Sequence, residues 1–325
     1  RLPSFTVATA APMDGFAASI GVMNVNNLKT TMQAKNTEVI IGDTDILENA
    51  PYRMSAAGFG DLIGKITCIN DWELSRIVNG EHYCERIAAL VKNCVNTVLA
   101  ESRLLKQRDA QALGKVMNGL VLSGTAISLY GDSRPASGAE HHMSHYWETI
   151  GDQRGTPFAM HGEQVAVATV LILMLIEELL EETVDFEKAR QHALSFNKEK
   201  WEKEIRCVYG SAAQEIIKLE EKAKKNDPQK QLERIETMQS NWEEIRAQLE
   251  TVPSSKMLKN ALIEAGCPTT PAEIGIDREL LIKTFVYCKE VRARYTVLQT
   301  VYDLGLLETL ANKVADKLEN GSLAR

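Results

Sequence analysis

The chain has 325 residues, 44% hydrophobic and 25% charged, the make-up of an ordinary soluble globular protein with two domains or one large domain and a smaller partner. Its formal net charge of −7 argues against a nucleic-acid-binding surface, because neutralising phosphates takes clustered Lys and Arg. A small anionic substrate stays open, since it needs only a local positive site. The six cysteines (Cys68, Cys84, Cys94, Cys207, Cys267, Cys288) are scattered without a CxxC pair and read as reduced, mostly buried thiols of a cytoplasmic protein.

Residues 4–45 read as β-rich. SFTVATA (4–10) is predicted to be a buried strand, APMDG a turn, ASIGVMNV (18–25) an extended stretch, and EVIIGDTD (38–45) an apolar run ending in a Gly-Asp turn. A domain rarely opens on a core strand, and the first residue is Arg1 rather than methionine. An absent upstream part of the protein is therefore expected. No signal-peptide pattern is visible.

From about residue 46 the periodicity is helical. AAGFGDLIGKITCINDWELS (56–75) is predicted to break at a Gly-rich turn, which places Asp61 at a helix start, where an aspartate serves as an N-cap. Helices are expected over 61–79, 81–103, 108–130, 136–151, 161–182 and 185–208. Helix then continues to 320, with breaks near Pro253, Pro268 and Pro271. The most apolar run, VAVATVLILMLI (165–176), is closed by Glu177 and Glu178 and is shorter than the ~18–20 residues of a bilayer span. It reads as a buried core helix, and no membrane span is expected. The stretch 185–260 is dense in both signs of charge, with Trp, Ile, Leu and Val three and four apart. It predicts amphipathic helices with solvated outer faces, broken at Asn226-Asp227-Pro228.

GAEHHMSHYWE (138–148) holds half of the six histidines. Taken alone it could be a solvated helix face. On a helix His141 and His145 share one face and His142 turns away by about 100°. Two imidazoles on one face can share a metal, or one can bind metal while the other meets substrate. After a loop containing Gly151, Gly155 and Pro157, MHGEQ (160–164) sets His161 at the start of the apolar helix. One Asp and two His from three helices form a donor set that suits Zn²⁺, Fe²⁺ or Ni²⁺. Three protein ligands leave an open, catalytic position.

ATAAPMDGFAAS, AGFGDLIGK, SGAEHHMSHYWE, MHGEQVAVAT and the late RARYTVL together resemble the glycerol-1-phosphate dehydrogenase family, within the metal-dependent polyol dehydrogenases and dehydroquinate synthase. The resemblance covers essentially the whole chain except 185–260. It implies a dehydroquinate synthase-like two-domain fold, here an α/β N-terminal remnant plus a mainly α-helical metal-binding domain. Residues 1–55 would be the last strands of a truncated Rossmann-like nucleotide-binding domain. Residues 56–325 would be the helical metal- and substrate-binding domain, with a charged helical insertion at about 185–260. The family's Gly-rich pyrophosphate turn and GSGT-type segment do not occur in this sequence.

Residue by residue, the resemblance implies metal ligands at Asp61, His141 and His161, and substrate contacts at Asp14, Asp61 and His145. It implies catalytic roles for Asp61 and His145, the latter passing a proton directly or through a water. Nucleotide contacts are implied at Thr9, Ala10, Ala11 and Pro12, and at Ala18, where the family often carries serine. His142 has no implied role. The implied cofactors are one divalent ion (Zn, Ni or Fe) and NAD or NADP. The implied reaction interconverts dihydroxyacetone phosphate, a phosphorylated triose, with sn-glycerol 1-phosphate, in a homo-oligomer. Lys65, Arg134, Arg292 and Arg294 are candidate phosphate partners for which surface salt bridges are the default reading. The rival readings are a glycerol (polyol) dehydrogenase, a synthase-type lyase, and an inactive helical interaction fragment.

Overall fold

The computed structural model describes residues 3–25, 28–156 and 159–321. Pro157, placed by the sequence in the loop before His161, lies outside them. Four short strands come first. β1 (Phe5–Val7) pairs in parallel with β4 (Val39–Ile41), with Phe5 opposite Val39 and Val7 opposite Ile41. Between them β2 (Ile20–Val25) and β3 (Leu28–Gln33) form an antiparallel hairpin.

The expected buried strand at 4–10 is shorter and bare. Phe5 is 63% and Val7 52% exposed, and Val39 and Ile41 on the paired strand are exposed with them. A two-stranded ribbon has no second layer to cover this apolar face, so alternation alone could not decide its burial.

The remainder is helical: α1 (Thr44–Asn49), α2 (Tyr52–Asn79), α3 (Glu85–Leu99), α4 (Ser102–Leu105), α5 (Ala110–Tyr130), α6 (Ala139–Arg154) and α7 (His161–Glu181) build the body. Then come α8 (Phe186–Leu194), α9 (Lys198–Tyr209), α10 (Ala213–Ala223), α11 (Pro228–Ser240), α12 (Trp242–Leu249), α13 (Ser255–Glu264), α14 (Arg278–Tyr287), α15 (Val297–Asp303) and α16 (Leu307–Glu319). The helix expected over 185–208 is two helices. Asn197 breaks it, its side chain capping α9 by accepting from Lys200 N.

The largest departure from expectation is at the glycines. AAGFGDLIGK is not a turn but the continuous middle of α2, and Asp61 lies in the helix interior rather than at its N-cap. The glycines serve close approach between elements. A Cβ on Gly58 would sit 1.9 Å from the carbonyl oxygen of Ala11, and one on Gly162 of α7 would sit 1.9 Å from that of Ala57. Removing the Cβ lets α2 and α7 cross nearly backbone to backbone and lets the N-terminal loop rest directly on α2.

The apolar run 165–176 is wholly buried inside α7, as its composition predicts. Among the described residues one helix, α5, is long and apolar enough to cross a membrane by length and composition, and 56% of its apolar window is buried. α5 lies against α2 and α3 in the body.

The 185–260 stretch packs on the body rather than projecting from it. Ile205, Tyr209, Ile216, Ile235, Met238, Ile245 and Leu249 are buried in the common core, while most charges face outward, as amphipathic helices require. The break falls at Asn226-Asp227-Pro228, with Asp227 capping α11 and Pro228 in its first turn.

Candidate functional site

Three helices deliver the site. α2 carries Asp61 and, one turn on, Lys65. α6 carries His141, Ser144, His145 and Glu148 at positions i, i+3, i+4 and i+7, one face of a helix. α7 begins at His161, and its first turn is closed by the Glu163 carboxylate accepting from Met160 N at 2.9 Å. Ligand atoms of Asp61, His141 and His161 all lie within 4.8 Å of one another, and so do those of His145, Glu148 and His161. The ring centroids of His141 and His161 are 5.1 Å apart, and those of His145 and His161 5.7 Å.

A cavity of about 340 Å³ opens beside these groups, lined by Asp14, Ala18, Ser133, Ser137, His141, His145, Glu148, His161 and Arg292 among others. Asp14 arrives from the N-terminal loop and is fastened there. Its backbone N–H donates to Asp61 Oδ2 at 3.0 Å, and its carboxylate accepts from Ser123 Oγ of α5 at 2.8 Å. Of the implied nucleotide contacts, Ala18 lines the cavity. Thr9, Ala10, Ala11 and Pro12 do not. Ala11 is buried on Gly58 of α2, and Thr9 is exposed.

Lys65 is not a surface residue. Its side chain is fully buried, 2.7 Å from Asp61 Oδ1 and 3.0 Å from Asp14 Oδ2. Burial opposes the charge of both Asp61 and Lys65, but mutual attraction wins. Lys65 and His141 hold Asp61 well below the usual carboxylate range, and Asp14 with Asp61 holds Lys65 above the usual lysine value.

Arg134 is also buried, donating to Glu81 and to the carbonyls of Asp71 and Tyr295. Arg294 braces the turn before α6 through Ser137 O at 2.6 Å and Ser133 Oγ at 3.0 Å. Arg292 lines the cavity, and burial together with Arg294 pulls it down to about 10. The surface salt-bridge reading fails for Lys65 and Arg134, which are buried and reach Asp14 and Tyr295 from far along the chain, while Arg294 does pair with the exposed Asp132.

The histidines differ in their surroundings. His141 Nδ1 meets Glu140 Oε1 at 2.7 Å, and its Nε2 faces Asp61 Oδ1 at 3.5 Å. Burial and Lys65 push His141 down, yet the hydrogen bonds to Asp61 and Glu140 outweigh them and raise it. The position therefore favours positive charge. His145 falls to about 3, through burial first, then Arg292 and His161, against the opposing pull of Glu148. His142 is fully buried off this face and held far below the ordinary histidine value by burial and by Lys225, Arg294 and Arg292.

Glu148 is the site residue that sequence reading missed. The signal was present, since it sits three residues after His145 and so on the same helix face. One carboxylate and two imidazoles converging from three helices, with His141 in a cation-favouring environment, fit a divalent ion of the zinc, nickel or iron type.

No protein-family model matches the chain. A Bacillus licheniformis protein named glycerol-1-phosphate dehydrogenase (NAD(P)+) is 27% identical over 312 residues, 96% of this chain and 65% of that protein. The Bacillus velezensis protein of the same name is 30% identical over 301 residues, 92% of this chain and 64% of that protein. The chain thus spans just under two thirds of the length of these relatives. Among solved structures, glycerol dehydrogenase from Schizosaccharomyces pombe superposes with a TM-score of 0.52 at 15% identity, covering 98% of this chain and 66% of that one. The chain therefore has the fold of the corresponding part of glycerol dehydrogenase and, along nearly its whole length, is similar in sequence to the glycerol-1-phosphate dehydrogenases.

Proposed function

We propose that this chain is the metal- and substrate-binding portion of an NAD(P)-linked dehydrogenase that interconverts dihydroxyacetone phosphate and sn-glycerol 1-phosphate. The observation that carries the reading is the convergence of Asp61, His141 and His161 within 4.8 Å, the two histidines lining a cavity that Asp14 and His145 also line. An inactive interaction module needs none of these groups. The names of the relatives supply the substrate class. The six cysteines are free thiols, four of them buried, which fits a reducing, cytoplasmic setting.

In this reading Asp61, His141 and His161 hold one divalent ion. When bound, the ion supplies Lewis acidity to a carbonyl group and the nicotinamide supplies or takes up the reducing equivalents. The chain's own residues do the rest. Asp14, held rigid by Lys65 and Ser123, accepts a hydrogen bond from a substrate hydroxyl. His145 stands across the cavity as the proton-handling group. Arg292, with the hydroxyls of Ser133 and Ser137, forms the end of the cavity suited to a phosphate monoester. Lys65 offsets the charge of Asp61 and Asp14, so that two carboxylates can share a water-poor corner.

Calorimetric titration of the zinc-loaded chain with sn-glycerol 1-phosphate and, separately, with glycerol tests the reading. Binding of the phosphate ester alone, abolished by a chelator, is the expected result. A preference for glycerol moves the protein to the polyol dehydrogenases. Silence with both brings the interaction-fragment reading forward.

A further inference from the structure

Two imidazoles of the site, His145 and His161, turn their Nδ1 atoms toward the same carboxylate. Glu148 Oε2 is 3.1 Å from His145 Nδ1, and Glu148 Oε1 is 3.4 Å from His161 Nδ1. An ionised carboxylate only accepts hydrogen bonds. Each ring nitrogen that faces it must therefore carry the proton.

For His161 a second line of hydrogen bonds leads to the same answer. Gln164 Nε2 donates to Ala159 O at 2.9 Å, which turns its Oε1 toward Ser144. Ser144 has one hydroxyl proton and donates it to Gln164 Oε1 at 3.0 Å. The contact of 3.2 Å between Ser144 Oγ and His161 Nδ1 can then only run from the ring to the hydroxyl.

We infer that Glu148 is a positioning residue that locks His145 and His161 in the Nδ1–H tautomer, so that both present a bare Nε2 lone pair to the cavity. The inference rests on the dehydrogenase reading for its use but not for its geometry. Toward His161 it is the carboxylate–histidine–metal arrangement, in which the outer carboxylate fixes the ring and raises its basicity as a ligand. Toward His145 it sets the direction of proton traffic. A neutral His145 locked in this way has no Nε2–H to give, so it meets a substrate hydroxyl or a water as an acceptor. In the alcohol-oxidising direction the hydroxyl O–H bond breaks and an Nε2–H bond forms, and the resulting imidazolium is balanced by Glu148. In the reducing direction the same proton returns along the same path.

Nitrogen-15 labelling of the histidines and long-range 15N–1H correlation spectra of the metal-free chain read the tautomers directly. The wild type is expected to show pyrrole-type Nδ1 and pyridine-type Nε2 for both rings. Glu148→Gln keeps the volume but swaps one accepting oxygen for a donating NH₂, so it can serve only one ring. His161 stays held by Ser144, and His145 is expected to move its proton to Nε2.

The double variant Ser144→Ala/Glu148→Gln releases His161 as well and is expected to lose about 10–100-fold in zinc affinity, with an unchanged far-ultraviolet dichroism spectrum. The lock is overturned by an Nε2-protonated ring in the wild type, or by His145 unchanged in Glu148→Gln. It is also overturned by a second zinc equivalent that disappears in that variant, which would make Glu148 a ligand instead. Correct tautomers in a chain that binds no zinc uphold the lock while removing the metal reading, so the two stand or fall separately.

Discussion

The protein holds two buried polar clusters, and they differ in one respect. In the cavity cluster, His141, His145, His161 and Glu148 line an open space, with Asp61 buried behind His141. The other cluster forms where the turn between α10 and α11 meets the segment before α15. There Lys289 binds Glu290 and Asn226, Lys225 donates to the carbonyls of Lys289 and Arg292, and Arg234 makes a paired contact with Asp303 at 2.6 and 3.0 Å. That network closes on itself. Burial alone does not mark a functional charge. A charge whose partners are all internal holds the fold, whereas one that leaves lone pairs facing a cavity is available to a ligand. The two clusters touch through Lys225, whose ammonium binds the backbone of Arg292 at 3.0 Å, so the charged stretch supports the cavity wall from behind.

Cutting each cluster in turn separates the two roles. Arg234→Ala leaves Asp303 buried without its cation and is expected to cost about 3–5 kcal/mol of stability, with zinc binding intact in the protein that remains folded. Chemical denaturation with parallel metal analysis measures both. His161→Ala should do the reverse. It should abolish zinc binding while the metal-free stability falls by only about 1 kcal/mol, because this ring lies at a helix start, is partly exposed, and gives up only its contacts to Glu148 and Ser144. Full zinc occupancy in His161→Ala would sink the ligand assignment. An intermediate effect is expected where the site is framed rather than formed. Gly162→Ala drives a methyl into the carbonyl of Ala57 at 1.9 Å, so α2 and α7 must part. A loss of about 1–3 kcal/mol together with weaker zinc binding is expected, since the two helices carry Asp61 and His161. Melting curves with and without zinc separate the two effects.

What the sequence made legible follows the same division. In EHHMSH the meeting of His141, Ser144 and His145 was legible because they share one helix face, and helical spacing is a local property. Asp61 and His161 were readable as residue types, and their neighbours Lys65 and Glu148 lie one turn from residues already singled out. The glycines of α2 were misread because a turn and a close helix crossing both call for glycine. The atoms that decide between them, on Ala11 and Gly162, come from elsewhere in the chain. The closed network was invisible for the same reason. Glu290 and Asp303 lie more than 60 residues from Asn226 and Arg234, so the charges at 225–234 looked like a solvated face. The bare face of β1 and β4 shows the converse, a locally correct strand whose burial depends on a second layer.

The smallest effect belongs to the third histidine of the same helix, and it is the finest test of the distinction. His142 is fully buried, and neither ring nitrogen has a hydrogen-bond partner among the described residues. It contributes to neither cluster. An apolar side chain of similar size removes two unmet polar atoms, so His142→Leu should fall within about 1 kcal/mol of the wild type at neutral pH and keep its zinc, unlike the same change at His141. The pH dependence carries the sign. Because the folded value of His142 lies well below 6.5, the unfolded chain takes up a proton that the folded chain refuses as the pH falls below about 6.5. Stability is then lost on acidification by up to about 1.4 kcal/mol per pH unit for one such group. His145, also depressed, adds a loss of the same sign that remains in the variant. His142→Leu should therefore flatten, not abolish, the decline in unfolding free energy between pH 6.5 and 5. An unchanged slope would mean that His142 is charged in the folded protein and has a partner, and His142 would then belong to one of the two clusters after all.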